Sequence, residues 1–169
     1  VVRLGPITVA NPLHRLSTAR SLEVARALAP DDVSTAVLTR LHDRSGIEHR
    51  NCAILEGDGS VSLYGVGPEG GEDDPVVPGT AARMIAYEEH ARRLAVEAAA
   101  GAIESDGHGP GRITHLVTAS CTGFDAPGVD RCIIDAVDLP ADVRRTHVGF
   151  MGCHACLLYT SPSPRDPIG

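Results

Sequence analysis

A layered α/β fold is what this chain of 169 residues predicts. Three observations carry it. Apolar strand-like runs alternate with helical patterns through residues 80–152, in the order helix, strand, helix, strand, and such alternation requires helices packed on a sheet. The runs "RITHLVTAS" and "RRTHVGFMG" are continuous rather than alternating beyond their polar starts, as in strands buried on both faces. The helix between residues 81 and 105 is rich in alanine, a surface made for close approach.

Along the chain, "VVRLGPITVANPLHRLS" starts strand-like and turns at Asn11-Pro12. Ser17 is placed to cap a helix through "TARSLEVARALA", which must stop before Pro30. After Asp31-Asp32 a second helix covers "VSTAVLTRLHDRSG", with Val33, Val37, Leu38 and Leu41 on one face and Gly46 at its end. "IEHRNCAIL" reads as a strand. Residues 56–79, rich in Gly, Pro and acid, read as a long surface loop. Thr80 then caps the alanine-rich helix. "DAPGVDRCIIDAVDL" reads as a loop followed by a helix, and the last strand runs straight into Cys153.

Composition narrows the function classes. A net charge of -7 argues against a nucleic-acid partner, and 3% aromatic residues with no Trp leave little for base stacking. No apolar run approaches a membrane span, so no membrane partner is expected. Five scattered cysteines form no disulfide framework, and with no signal peptide at the start a reducing, cytoplasmic setting is expected.

Cys153 follows a strand and a glycine where a helix should begin. Free N–H groups and the positive end of a helix dipole favour the thiolate, which is the nucleophile. The plainer reading is a small buried residue. Cys121 in "SCTGF" competes with it as a nucleophile motif or as a structural cysteine. Arg40 and Arg44 stand four apart on one helix face and can address one anion, or they belong to a solvated face with Asp43 as partner. His115 and His147 read as structural residues at strand starts. His154 is next to Cys153 but points elsewhere on a helix, which makes it a poor base. "CHAC" spells CxxC, yet a zinc site needs about four ligands and no second pair is suitably spaced, so no metal is expected.

The stretch "THLVTASCTGFDAPGVDRCIIDAVDLPADVRRTHVGFMGCHA" resembles the type III polyketide synthases, the chalcone and stilbene synthase-like family. Weaker resemblance extends through "RLHDRSGIEHR" and "AARMIAYEEHARRLAVEAA". The resemblance implies a thiolase-like layered fold (α-β-α-β-α), of which residues 1–155 are the N-terminal half. It implies an acyltransferase that condenses a starter acyl-CoA with malonyl-CoA through an acyl group on Cys153, as a homodimer when full length. Coenzyme A thioesters are then substrates, with no further cofactor. Cys121 and Thr122 fall on the acyl-pocket wall, and Ala126 on the residue that reaches the partner's pocket. Arg40 and Arg44 fall on basic residues that hold coenzyme A phosphates, while a further family lysine is Val37 here. The family's catalytic His and Asn lie in the second half, so the fragment itself is expected to be inactive. A fatty-acid-type ketoacyl synthase shares the fold and the cysteine; "CTGFDAPG" and "VGFMGC" favour the polyketide family. A non-enzymatic CxxC module is the remaining rival.

Residues 156–169 are expected to be a non-native tail. "CLLYTSPSPRD" looks like the translation of a transposon-end sequencing adaptor, and Pro162 and Pro164 would break a helix opened by Cys153.

Overall fold

The structure is a computed structural model that describes residues 3–30, 32–68 and 75–150. The chain divides into two compact units. One comprises Ala10–Ala86; the other comprises Val1–Val9 together with Tyr87–Gly169.

In the Ala10–Ala86 unit, β1 (His14–Ser17) pairs antiparallel with β2 (His49–Cys52), in a register that sets His14 opposite Cys52 and Ser17 opposite His49. The α1 helix (Thr18–Leu28) begins where the cap was expected, with the Ser17 side chain accepting from the Arg20 amide. Such a cap is worth roughly 0.5–2 kcal/mol. The α2 helix (Thr35–Arg44) packs beside α1, where Arg26 Nη2 donates to Thr39 Oγ1 at 3.0 Å. Gly46, at φ 65°, takes the chain out of α2 in a conformation that side chains rarely adopt.

Two expectations fail, the first in the opening segment, whose residues up to Val9 belong to the other unit, and the second in this one. The opening segment extends but pairs with no strand among the described residues, and the first strand starts only at His14. Alternating apolar residues make a backbone extended; a strand also needs a partner edge, which the pattern does not supply. The supposed surface loop carries the most buried of the unit's described residues, Val61 and Val66, at 2% and 3% exposed. They pair across a short turn closed by Gly65 at φ 64° and turn inward onto Leu16 and Leu55.

In the other unit, α3 (Thr80–Asp106) begins at Thr80 itself, so that residue is the first of the helix rather than its cap; the unit boundary falls within this helix. Ala91, Ala95 and Ala99 recur every four residues and pack against α4 (Val129–Ala136), through Val129 and Ile133, and against Leu139 and Val143. That is the close approach the small side chains allow. β3 (His115–Ala119) and β4 (Arg144–Val148) pair in parallel, His115 opposite Arg144 and Ala119 opposite Val148.

These strands are not buried on both faces. Along β3, half-buried Leu116 and Thr118 alternate with exposed neighbours, and β4 is exposed as far as His147. Only the face that meets the core is covered among the described residues. His147 lies inside β4 rather than at its start, and its Nδ1 is 2.9 Å from Thr118 Oγ1, its register partner on β3.

Candidate functional site

The segment that links β3 to α4 turns sharply. Ser120 fixes the turn twice: its amide donates to the Val148 carbonyl at 3.0 Å, and its hydroxyl to the Gly123 carbonyl at 2.8 Å. The next two residues, Cys121 and Thr122, are exposed and line a hollow of about 450 Å³. Tyr87, Ala91 and Ala95 of α3 form the facing wall. Small residues on the helix are what leave the space open.

Gly123 is buried and has no freedom to carry a side chain. A Cβ there would lie 2.1 Å from the Tyr87 ring. Gly128 precedes α4 as its cap, where an added Cβ would crowd only the movable end of the Asp130 side chain.

Between these glycines the linker is held to α3 by charge. Arg92 Nε donates to Asp125 Oδ2 at 2.6 Å and Nη2 to Oδ1 at 2.7 Å, the parallel geometry that makes guanidinium–carboxylate pairs strong. Nη1 lies 2.7 Å from Glu88 Oε1. The Asp125 side chain is only 4% exposed. Hydrogen bonding to Asp125, with the negative charge of Asp125 and Glu88 behind it, raises the Arg92 pKa above its already high ordinary value. The guanidinium therefore keeps its charge at neutral pH and well above it.

Of the residues singled out in the sequence, Cys121 and Thr122 share the hollow. Ala126 is exposed and is not among its lining residues. Arg40 and Arg44 are exposed on α2, in the other unit, with no ion pair to Asp43. Cys153, like His154 and Cys156, lies outside the described residues. No group of three or more His, Cys, Asp or Glu side chains is gathered as a metal site among the described residues. No described helix is long and apolar enough to cross a membrane. Sequence reasoning missed Arg92 and Asp125. They stand 33 residues apart, and an arginine on an alanine-rich helix reads as a solvated charge.

The family model for the N-terminal domain of chalcone and stilbene synthases matches residues 73–159, more than half of the chain, and includes every residue of the hollow. The chain belongs to the chalcone and stilbene synthase family. It is 32% identical over 120 residues to the alpha-pyrone synthesis polyketide synthase-like protein of Mycobacterium tuberculosis, a match covering 71% of this chain and 28% of that protein. Curcumin synthase 1 of Curcuma longa is 42% identical over 62 residues, 37% of this chain and 16% of that protein. Among solved structures, polyketide synthase PKS-I of the brown alga Ectocarpus siliculosus superposes with a TM-score of 0.68 at 27% identity, covering 91% of this chain and 40% of that one. A fungal type III polyketide synthase, ORAS, gives 0.69 at 23% identity over 92% of this chain and 40% of its own. The layered, thiolase-like α/β class is therefore the fold of this chain. The chain spans less than half of the length of these relatives.

Proposed function

We propose that this chain is the starter-accepting part of a type III polyketide synthase, an acyltransferase that builds polyketides from coenzyme A thioesters. The observation that carries the reading is the family match over residues 73–159, which takes in both the hollow and Cys153. The Cys153 thiolate attacks the thioester carbonyl of a starter acyl-CoA; the carbon–sulfur bond to coenzyme A breaks and the coenzyme leaves as its thiolate. Malonyl-CoA loses carbon dioxide, and the resulting carbanion attacks the enzyme-bound acyl carbonyl and releases Cys153. Splitting the transfer in this way gives two easier steps in place of one. Cys121 and Thr122 shape the cavity for the acyl chain, with Ala126 beside the partner subunit of a homodimer. Arg40 and Arg44 take the coenzyme phosphates; a relative of known structure, CsyB, has been seen with CoA-SH. Residues 156–169 are a non-native tail, and re-sequencing the locus tests this, since a reading frame that follows genomic DNA unbroken through residue 169 would sink it.

The test of the central step is mass spectrometry of the complete synthase after incubation with a labelled acyl-CoA. The label is expected on Cys153 and is expected to be lost in Cys153→Ala. A label that survives that change and vanishes in Cys121→Ala overturns the assignment. For the arginines, one charge-assisted contact to phosphate is worth roughly 1.5–3 kcal/mol, so Arg44→Ala should weaken acyl-CoA binding about tenfold or more. An unchanged Kd in the Arg40→Ala, Arg44→Ala double variant returns α2 to a solvated face.

A further inference from the structure

Loop 120–128 is held at several points along its length. At its start, the Ser120 amide holds it to Val148 at the end of β4, and the Ser120 hydroxyl closes the turn onto Gly123. In its middle, the Tyr87 ring rests on Gly123. Beyond that, Arg92 gathers the linker: its fork holds both oxygens of Asp125, and Nη2 also reaches the Pro127 carbonyl at 3.4 Å. Asp125 is four residues past Cys121 and three past Thr122, so the fork governs the stretch that carries the wall of the hollow.

We propose that Arg92 is a positioning residue: by clamping Asp125 to α3 it fixes the distance between the Cys121–Thr122 wall and the Ala91–Ala95 wall, and so sets which acyl chains the hollow accepts. The part about acyl chains rests on the function proposed above; the clamp itself does not. The physical argument is one of charge. Asp125 is almost fully withdrawn from water, and a buried carboxylate that loses its partner moves toward solvent rather than stay unpaired. Residues 123–127 would follow it away from α3, and the hollow would widen. Lysine cannot replace the arginine, because it offers one point charge where the carboxylate is met by a planar fork.

Two measurements test this. In the 169-residue chain, hydrogen exchange of residues 120–126 is compared between the parent, Arg92→Met and Arg92→Lys. Exchange in that stretch is expected to rise about tenfold or more in Arg92→Met and by less in Arg92→Lys, with β3 and β4 unchanged, as local opening of one segment requires. Unchanged exchange overturns the clamp. If β3 and β4 also lose protection in Arg92→Met, that variant has unfolded and Arg92→Lys decides by the same criterion. In the complete synthase, KM for a long-chain starter acyl-CoA relative to a short-chain one is expected to shift about fivefold or more in Arg92→Met, with kcat much less affected, as for a lost binding contact. Raised exchange with an unaltered long-to-short ratio overturns the selectivity role and leaves a purely structural clamp. If the parent synthase takes up no acyl group at all, the proposed function has failed, and the exchange measurement still judges the clamp.

Discussion

Each unit of this chain ties a loop to a helix with one arginine, and the two ties differ in kind. In the Ala10–Ala86 unit, Arg20 of α1 donates through Nη2 to the carbonyls of Gly59 and Gly67, while Nη1 pairs with Glu23 on its own helix. Its buried Nε has no partner among the described residues. In the other unit, Arg92 meets a withdrawn carboxylate with two parallel bonds. Neutral carbonyls accept a cation without needing it, because water serves them nearly as well once the loop opens. A carboxylate left unpaired in its buried place costs far more than a carbonyl does, so it stays only where its partner is. The first tie therefore stabilises a loop, whereas the second dictates where its loop must lie, and it is the second that stands beside the hollow.

The largest expected effect tests whether the units are energetically separate. Ile133→Ala empties part of the core shared by α3 and α4 and should cost roughly 2–5 kcal/mol. Hydrogen exchange should report the loss across β3, β4 and α4 while β1 and β2 keep their protection. Equal loss in both would mean that the units unfold as one. Next in size is Gly123→Ala. Its new methyl must displace the Tyr87 ring, and overpacking of this kind costs about 1–3 kcal/mol. Tyr87→Ala in the same chain should relieve most of it in chemical denaturation; no relief would show that the glycine serves the backbone instead.

Arg20→Met sharpens the contrast between the ties. Two carbonyls lose a charged donor, and the expected loss is about 1–3 kcal/mol, confined to the Ala10–Ala86 unit. Loss of protection at loop 120–128 in this variant would remove the distinction drawn here. The smallest effect is one of pH. The Ser60 amide donates to Asp58 Oδ1 at 2.9 Å, and chiefly this bond holds the Asp58 carboxyl below the ordinary value of 3.8. A carboxyl whose pKa falls on folding binds fewer protons in the native state. It contributes stability above the ordinary value, and that contribution is lost as pH falls through the lowered one. Denaturation curves of the parent and Asp58→Asn should accordingly converge as the pH drops below about 4 and differ slightly at pH 7.

Much of this was legible in the sequence where the signal is local. Ser17 announces α1, Gly46 ends α2, and the alanines of α3 foretell a face made for close packing. What stayed hidden is what depends on distant residues. Val61 and Val66 sit in a stretch of Gly, Pro and acid, and nothing within it reveals that the pair folds under Leu16. The apolar runs at β3 and β4 carry the composition of strands covered twice, but composition cannot say what covers them. Cys121 and Thr122 stood out through resemblance; Arg92, which holds their loop, did not, because its partner is far along the chain and its own helix gives an arginine an obvious place in water.

The N-terminal segment has a bearing on the order of folding. Thr8 Oγ1 donates to the Ala98 carbonyl of α3 at 2.6 Å, and Thr8 also lies against Gly101, so two points 90 residues apart in the chain are joined within one unit. The whole of Ala10–Ala86 is an insertion in that loop. In polymer terms, closing a long flexible ring is an entropic debt, and each halving of its flexible length lowers the cost by about 0.6 kcal/mol. When Ala10–Ala86 folds first, its own structure fixes its two ends and most of the ring ceases to be flexible. The insertion thus acts as a splint that shortens the flexible ring this joint must close, and a chain weakened only within the splint should close that joint more slowly in stopped-flow refolding.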